Sequence, residues 1–268
     1  MSKHVATCVF VVTFFTVVII PVYGHQQWIL PNFFYTNRES PWLGIEHTSG
    51  DQRFVSGHGL GTLVSIIHPE GWRMGRPSSI FVGQTRTVGE IKLREPGTYR
   101  IETDSPARYV AEIEVDGERT WVGKSKDQLP GKKIIQSTHR WSQTTTFVTV
   151  KEYTQGVLKA TGAFLEIVPV THPNKIFVEK PFVVRVLSRG QLVSDQKVQV
   201  YSEMDNGHDA TLATVTDADG EYELIFPSPG RYLLTARLRQ DAKESSRANI
   251  DVFDVLPKLK DWDSYPLC

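Results

Sequence analysis

The residues of this chain that could do chemistry are mostly histidines, and they are scattered. His25 directly follows Gly24 at the end of an apolar segment. If that segment is cut after Gly24, His25 becomes the terminal residue and offers its α-amine and its imidazole to one metal ion. Such a chelate suits Cu(II) or Ni(II), and one further imidazole would complete a three-nitrogen site. His58 lies in Ser56-Gly57-His58-Gly59, a flexible loop. His172 lies in Thr171-His172-Pro173-Asn174, where the following proline holds it extended. His47, His68, His139 and His208 complete the set downstream of Gly24. No His-x-His, His-x-x-x-His or His-Glu-x-x-His spacing occurs, so a metal site must be assembled from distant segments. The competing account is bland: a polar residue of a first strand for His25, and solvated or hydrogen-bonded loop histidines for the others.

Other signals are weaker. Asp217-Ala218-Asp219-Gly220 starts like a calcium loop but lacks the later acidic ligands, and a hairpin turn explains it better. Trp28, Trp42, Trp72, Trp121, Trp141 and Trp262 are spread singly along the chain, which favours core or rim packing over a sugar-binding face. There is no Gly-x-Ser-x-Gly elbow and no glycine loop to cradle phosphate. Nothing points to paired carboxylates for glycoside hydrolysis. The expectation is a protein that is not an enzyme.

Composition narrows the partners. In 268 residues, Lys+Arg and Asp+Glu are both 30, so there is no basic excess to neutralise phosphates, and a nucleic-acid partner is not expected. Cys8 and Cys268 stand at opposite ends of the chain, which excludes a disulfide scaffold, an iron–sulfur cluster and a Cys-rich zinc site. Val5–Ile20 is uncharged and largely apolar, and Val22 and Gly24 supply the small residues that signal peptidase needs. Residues 1–24 are therefore expected to be a signal peptide, with an uncleaved anchor as the alternative. Either way the rest is exported, to the periplasm or beyond, and no later stretch is apolar enough to span a bilayer.

The elements that must position these residues are strands. Short β-rich runs recur between Gly, Pro, Asp and Asn: Thr62–Ile67, Arg86–Leu93, Thr98–Thr103, Tyr109–Val115, Thr144–Val150, Phe164–Val170, Phe182–Leu187, Lys197–Ser202, Thr211–Thr216, Glu221–Phe226, Tyr232–Leu238 and Ala248–Val255. Lys197-Val198-Gln199-Val200-Tyr201 alternates polar with apolar, as a half-buried strand does. Pro96-Gly97-Thr98-Tyr99-Arg100-Ile101 returns as Pro229-Gly230-Arg231-Tyr232-Leu233-Leu234, a weak internal repeat. The expected fold is all-β, two tandem antiparallel β-sandwich domains of Ig-like or transthyretin-like type. The first domain is expected over residues 25–162 and the second over 163–256, with a tail at 257–268.

These residues carry a family likeness. The start His25-Gln26-Gln27-Trp28-Ile29-Leu30-Pro31, the Pro96–Ile101 turn, Glu152–Gly162, and above all Phe164–Asn174 with Phe177-Val178 resemble domain-of-unknown-function family 4198, often labelled nickel-uptake-type periplasmic proteins. The likeness covers most of the chain after residue 24 and is weakest between Asn37 and Gly83. It implies an exported β-sandwich protein that binds or delivers nickel, cobalt or copper as an accessory to metal uptake. Its partner would be a metal transporter or an outer-membrane receptor. Carried over by motif, His25 and His172 are the metal ligands, and His58 falls where the family often has a histidine. The alternative is a non-catalytic binding module for an envelope protein or a glycan, making its contacts through strand edges or aromatic loops.

Overall fold

Alternating apolar residues dictate the layers, and the turn residues between them dictate where each layer folds back. The structure is a computed structural model that describes residues 26–51, 54–61, 64–103, 108–204, 212–241 and 244–255. In chain order the strands are β1 (Gln26–Pro31), β2 (Tyr35–Thr36), β3 (Trp42–Gly50), β4 (His58–Gly59), β5 (Val64–Ile67), β6 (Arg73–Gly75), β7 (Ser79–Val82), β8 (Thr87–Lys92), β9 (Gly97–Thr103) and β10 (Arg108–Val115). They continue as β11 (Glu118–Val122), β12 (Lys133–Val150), β13 (Glu166–Pro169), β14 (Pro181–Ser188), β15 (Gln191–Leu192), β16 (Lys197–Ser202), β17 (Leu212–Val215), β18 (Glu221–Ile225), β19 (Gly230–Asp241) and β20 (Glu244–Val255). Every run read as a strand from the sequence overlaps one of these.

The strands form three sheets. The first has the order β1-β3-β8-β7, with β4 on β3. The second runs β17-β16-β19-β20-β12-β9-β5-β6, with β10, β11 and β2 attached, and the third is β13-β14-β15 with β18 on β14. Pairing is antiparallel except where β12 meets β2 and β20. The architecture is an all-β sandwich built of antiparallel sheets.

The two largest apolar cores among the described residues lie between these layers. Ile29, Leu43 and Ile45 of the first sheet meet Val64, Ile66, Tyr99, Ile101, Val148 and Val150 of the second. Ile167, Phe182, Val184, Val186, Tyr222 and Leu224 of the third sheet meet Val198, Val200, Tyr232, Leu234 and Ala236, again of the second. Each Val, Leu, Ile and Phe among them stabilises the fold by about 1.5–3 kcal/mol through removal of apolar area from water. The pattern Lys197-Val198-Gln199-Val200 behaves as its alternation demands: both valines are buried and Lys197 is exposed.

The second sheet is shared by both cores because β12 is long. Its last five residues pair with β9 (Thr146↔Ile101 to Val150↔Gly97), and His139–Thr145 pair in parallel with β20. The segment joining the halves is held by Glu166, whose carboxylate accepts hydrogen bonds from Thr161 N (2.8 Å), Thr161 Oγ1 (2.9 Å) and Gly162 N (3.0 Å). Asp217-Ala218-Asp219-Gly220 is a tight turn, closed by Gly220 N donating to Asp217 O at 3.0 Å, but not the hairpin its sequence suggests: it leads from β17, paired with β16 in the second sheet, to β18, paired with β14 in the third. The Asp217 side chain accepts from Asp219 N and Glu221 N, both at 2.9 Å.

Candidate functional site

Of the three expected metal ligands, His25 lies outside the described residues, as do residues 1–24, the loop holding His208 and the tail 257–268. His58 and His172 stand against different sheets. His58 is exposed on β4, opposite Ser49 of β3. His172 is buried against β9.

The Thr-His-Pro-Asn segment welds the second half to the first. His172 Nδ1 accepts from Asn174 N at 3.2 Å, so Nε2 carries the proton and lies 3.0 Å from Thr98 Oγ1. That hydroxyl also meets Thr149 Oγ1 (3.0 Å) and Thr154 N (3.1 Å). Asn174 Nδ2 donates to the carbonyls of Phe34 and Phe147. Tyr153 packs edge-on to the imidazole at 5.2 Å and carries Lys175 Nζ over its ring at 4.1 Å. Burial pulls the His172 pKa down to about 4; a hydrogen bond to the Thr154 backbone opposes this and the Lys175 charge adds to it. His172 is therefore neutral at neutral pH with both nitrogens engaged, and a metal ion there would have to displace one of these bonds.

The remaining histidines serve rings and strands. His68 is buried, stacks on Trp72 at 4.3 Å, and accepts from Glu70 N on Nδ1 at 3.2 Å. His139 stacks on Tyr109 at 4.4 Å. Among the described residues, no three His, Cys, Asp or Glu side chains gather into a group that could hold a metal ion. No helix among them is long and apolar enough to cross a membrane.

A cavity of about 30 Å³ lies where the halves meet, lined in part by Arg100, Glu102, Gln143, Lys159 and Glu166. It has room for about one water. Arg100 and Glu102, two residues apart on β9, pair at its wall at 2.9 Å.

A much larger hollow, about 550 Å³, lies on the outer face of the first sheet. Register builds it. One row across that face is Leu30, Glu46, Val88 and Phe81, and the neighbouring row is Gly44, Glu90 and Ser79. Gly44 carries no side chain and leaves the floor open, with Asn32 beside it. Glu46 is occupied by Arg86 Nη1 at 3.0 Å and by Ser56 Oγ. The Glu90 carboxylate is exposed and has no partner among the described residues.

The hollow ends at β7, the last strand of its sheet. Ile80, Phe81 and Val82 there are 40%, 66% and 56% exposed. Gly83 N donates to Arg86 O at 2.9 Å in the β7–β8 turn, so the ladder's alternation turns Phe81 toward β8 and the amides of Ile80 and Val82 outward. No described strand pairs with that outer edge. Sequence reading did not find this site. Its signal was Ser79-Ile80-Phe81-Val82 between Pro77 and Gly83, a short apolar run whose lack of alternation hides the strand.

Comparison with known proteins adds the following. The sequence model of DUF4198, a domain of unknown function, matches residues 22–240. No curated protein matches this sequence. Among solved structures, the chain is similar to the D0–D1 domain of intimin at 12% identity, covering 84% of this chain and 96% of that one, with a TM-score of 0.21. It is similar to the NIE–MG1 domains of alpha-2-macroglobulin from Escherichia coli at 11% identity, with 84% and 97% covered and a TM-score of 0.24. It is also similar to fibronectin(III)-like modules of Clostridium thermocellum CbhA at 10% identity, with 85% and 94% covered and a TM-score of 0.22.

Proposed function

The chain belongs to the DUF4198 family, a domain of unknown function, and we propose that it is an exported, non-catalytic β-sandwich module that binds another envelope protein through the outer edge of β7. The observation that carries this reading is the exposure of Ile80, Phe81 and Val82 on a terminal strand. An open apolar edge templates pairing with any free strand, and proteins ordinarily blunt such edges with charge, proline or a bulge. Three consecutive apolar residues kept there are accounted for by a partner strand that covers them in the working state. Main-chain hydrogen bonds then supply affinity, and pockets for alternate side chains supply choice. The signal-peptide pattern of residues 1–24 supports export.

The test is site-specific photocrosslinking in the producing cell, with a photoreactive residue in place of Phe81 or, as control, of Glu118 on β11. A single crosslinked envelope protein at position 81, lost when Val82→Pro blocks the edge, is the expected result. The same products at both positions would end the proposal.

A second reading, binding or delivery of nickel, cobalt or copper, draws on one relationship in the first sheet. Gln26 pairs with Gly50, and His58 pairs with Ser49 on the other side of β3. Two strand spacings amount to about 10 Å. A chain that starts at His25 would thus begin its first strand near the exposed imidazole of His58, which would serve as the third nitrogen ligand. In that case the partner would be a metal transporter or an outer-membrane receptor.

A further inference from the structure

We infer that the strand added to β7 carries a basic residue and an apolar residue two positions apart on its outward face. This rests on the edge-pairing reading above and names the chemistry of its partner. A strand laid along β7 extends both rows of the hollow by one residue. Next to Phe81, the extended row reads partner residue, Phe81, Val88, Glu46, Leu30. An apolar side chain there covers Phe81, which is 66% exposed. Two residues along, the row reads partner residue, Ser79, Glu90, Gly44.

In the second row Ser79 is small, so a long side chain from the partner can pass over it to the Glu90 carboxylate. Lys and Arg have the reach, and their apolar stems lie along the hollow while the charged head stays wet. Glu46 sits diagonally beside Glu90 on the same face, already bound to Arg86. That leaves Glu90 as the carboxylate able to accept a new cation. An acidic residue in the same place would face the Glu90 carboxylate. The hollow therefore selects for positive charge at one position and apolar surface at its neighbour.

The experiment uses the full exported chain and two labelled peptides, Thr-Val-Thr-Lys-Thr-Val-Thr and the same peptide with Glu for Lys, with binding read by fluorescence polarisation. An exposed ion pair is a modest, salt-sensitive interaction. The Lys peptide is expected to bind at least fivefold tighter than the Glu peptide in low salt, with the gap closing at high salt. Glu90→Gln should erase the preference and Glu90→Lys should reverse it. Gly44→Leu, whose added carbon meets Asn32 at an ordinary 3.6 Å, should weaken both peptides by filling the hollow. If both peptides bind equally and Glu90→Lys changes neither, while Val82→Pro abolishes both, the basic selectivity is wrong and edge pairing stands. If neither peptide binds, or if Val82→Pro leaves binding intact in a variant whose circular dichroism and melting match the parent, edge pairing fails as well.

Discussion

Tyr99 and Tyr232 hold the same corner of the two cores. Each phenol donates to the backbone carbonyl four residues upstream, Tyr99 Oη to Glu95 O at 2.7 Å and Tyr232 Oη to Ser228 O at 2.8 Å. Each follows a Pro-Gly turn whose glycine has positive φ, +130° at Gly97 and +140° at Gly230. Each glycine pairs with a valine of the next long strand, Gly97 with Val150 and Gly230 with Val255. The weak repeat in the sequence is thus a repeated corner: a buried ring anchors the core while its hydroxyl ties the incoming turn.

Replacing either phenol with a phenyl ring keeps the packing and strands the carbonyl it bonds, together with the Glu95 N–H at Tyr99 and the contact with Ser228 Oγ at Tyr232. Tyr99→Phe and Tyr232→Phe should each lower stability by about 1–2 kcal/mol. The corners belong to separate cores, so the double variant should lose the sum to within about 0.5 kcal/mol. Urea unfolding of the three variants checks this, and a strongly non-additive result would mean the two corners report one shared structure. Burial raises the Tyr99 pKa, so this bond should persist well into the alkaline range.

Gly97 has a second constraint. Its left-handed φ excludes most side chains, and an added Cβ would lie 2.6 Å from Pro69 Cβ. Gly97→Ala should therefore cost more than the roughly 1 kcal/mol of an ordinary strained glycine position, about 2–4 kcal/mol in all. Gly117 also has positive φ, but nothing lies within 4 Å of its added carbon. Gly117→Ala should cost less, which thermal melts of the two variants would show side by side.

The parts of this molecule that were legible in advance are those where one physical signal dominates. Val198 and Val200 alternate with polar neighbours, so their strand was plain, and Pro-Gly-x-Tyr announced both corners. Less was visible where a strand is wetted on both faces or serves two sheets. Ser79–Val82 is exposed throughout and shows no period, and Lys133–Gln143 extends a strand whose apolar end alone stood out. His172 illustrates the same gap at the level of a side chain. Its motif was clear, but only the fold reveals that Thr98 and Asn174 engage both ring nitrogens, because those partners lie 74 and two residues away.

The metal reading makes a prediction that separates these histidines. Imidazole ligates through an unprotonated ring nitrogen, and in His172 both nitrogens already serve the fold. In calorimetric titration of a chain beginning at His25 with Ni(II) or Cu(II), His58→Ala should weaken binding about tenfold or more. His172→Gln should leave affinity unchanged, since that ring is already committed to the fold. Equal affinity for the parent and His58→Ala would remove His58 from the site.

His172 should instead govern how the fold responds to acid. In the folded chain its pKa lies at about 4, while in the unfolded chain it returns to the ordinary value near 6.5. Between those values the unfolded state binds more protons, so lowering the pH favours unfolding. The stability present above about pH 6.5 should fall steadily to about pH 4 and then level off as far as this group is concerned, by at most roughly 3–4 kcal/mol. Glutamine cannot titrate but offers a donor and an acceptor for the same neighbours. His172→Gln should therefore be less stable than the parent at pH 7.5, yet lose less stability on going to pH 4.5. Urea midpoints of both proteins across that range decide the matter: parallel pH dependences would mean that protonation elsewhere, and not at the weld between the two halves, drives acid unfolding.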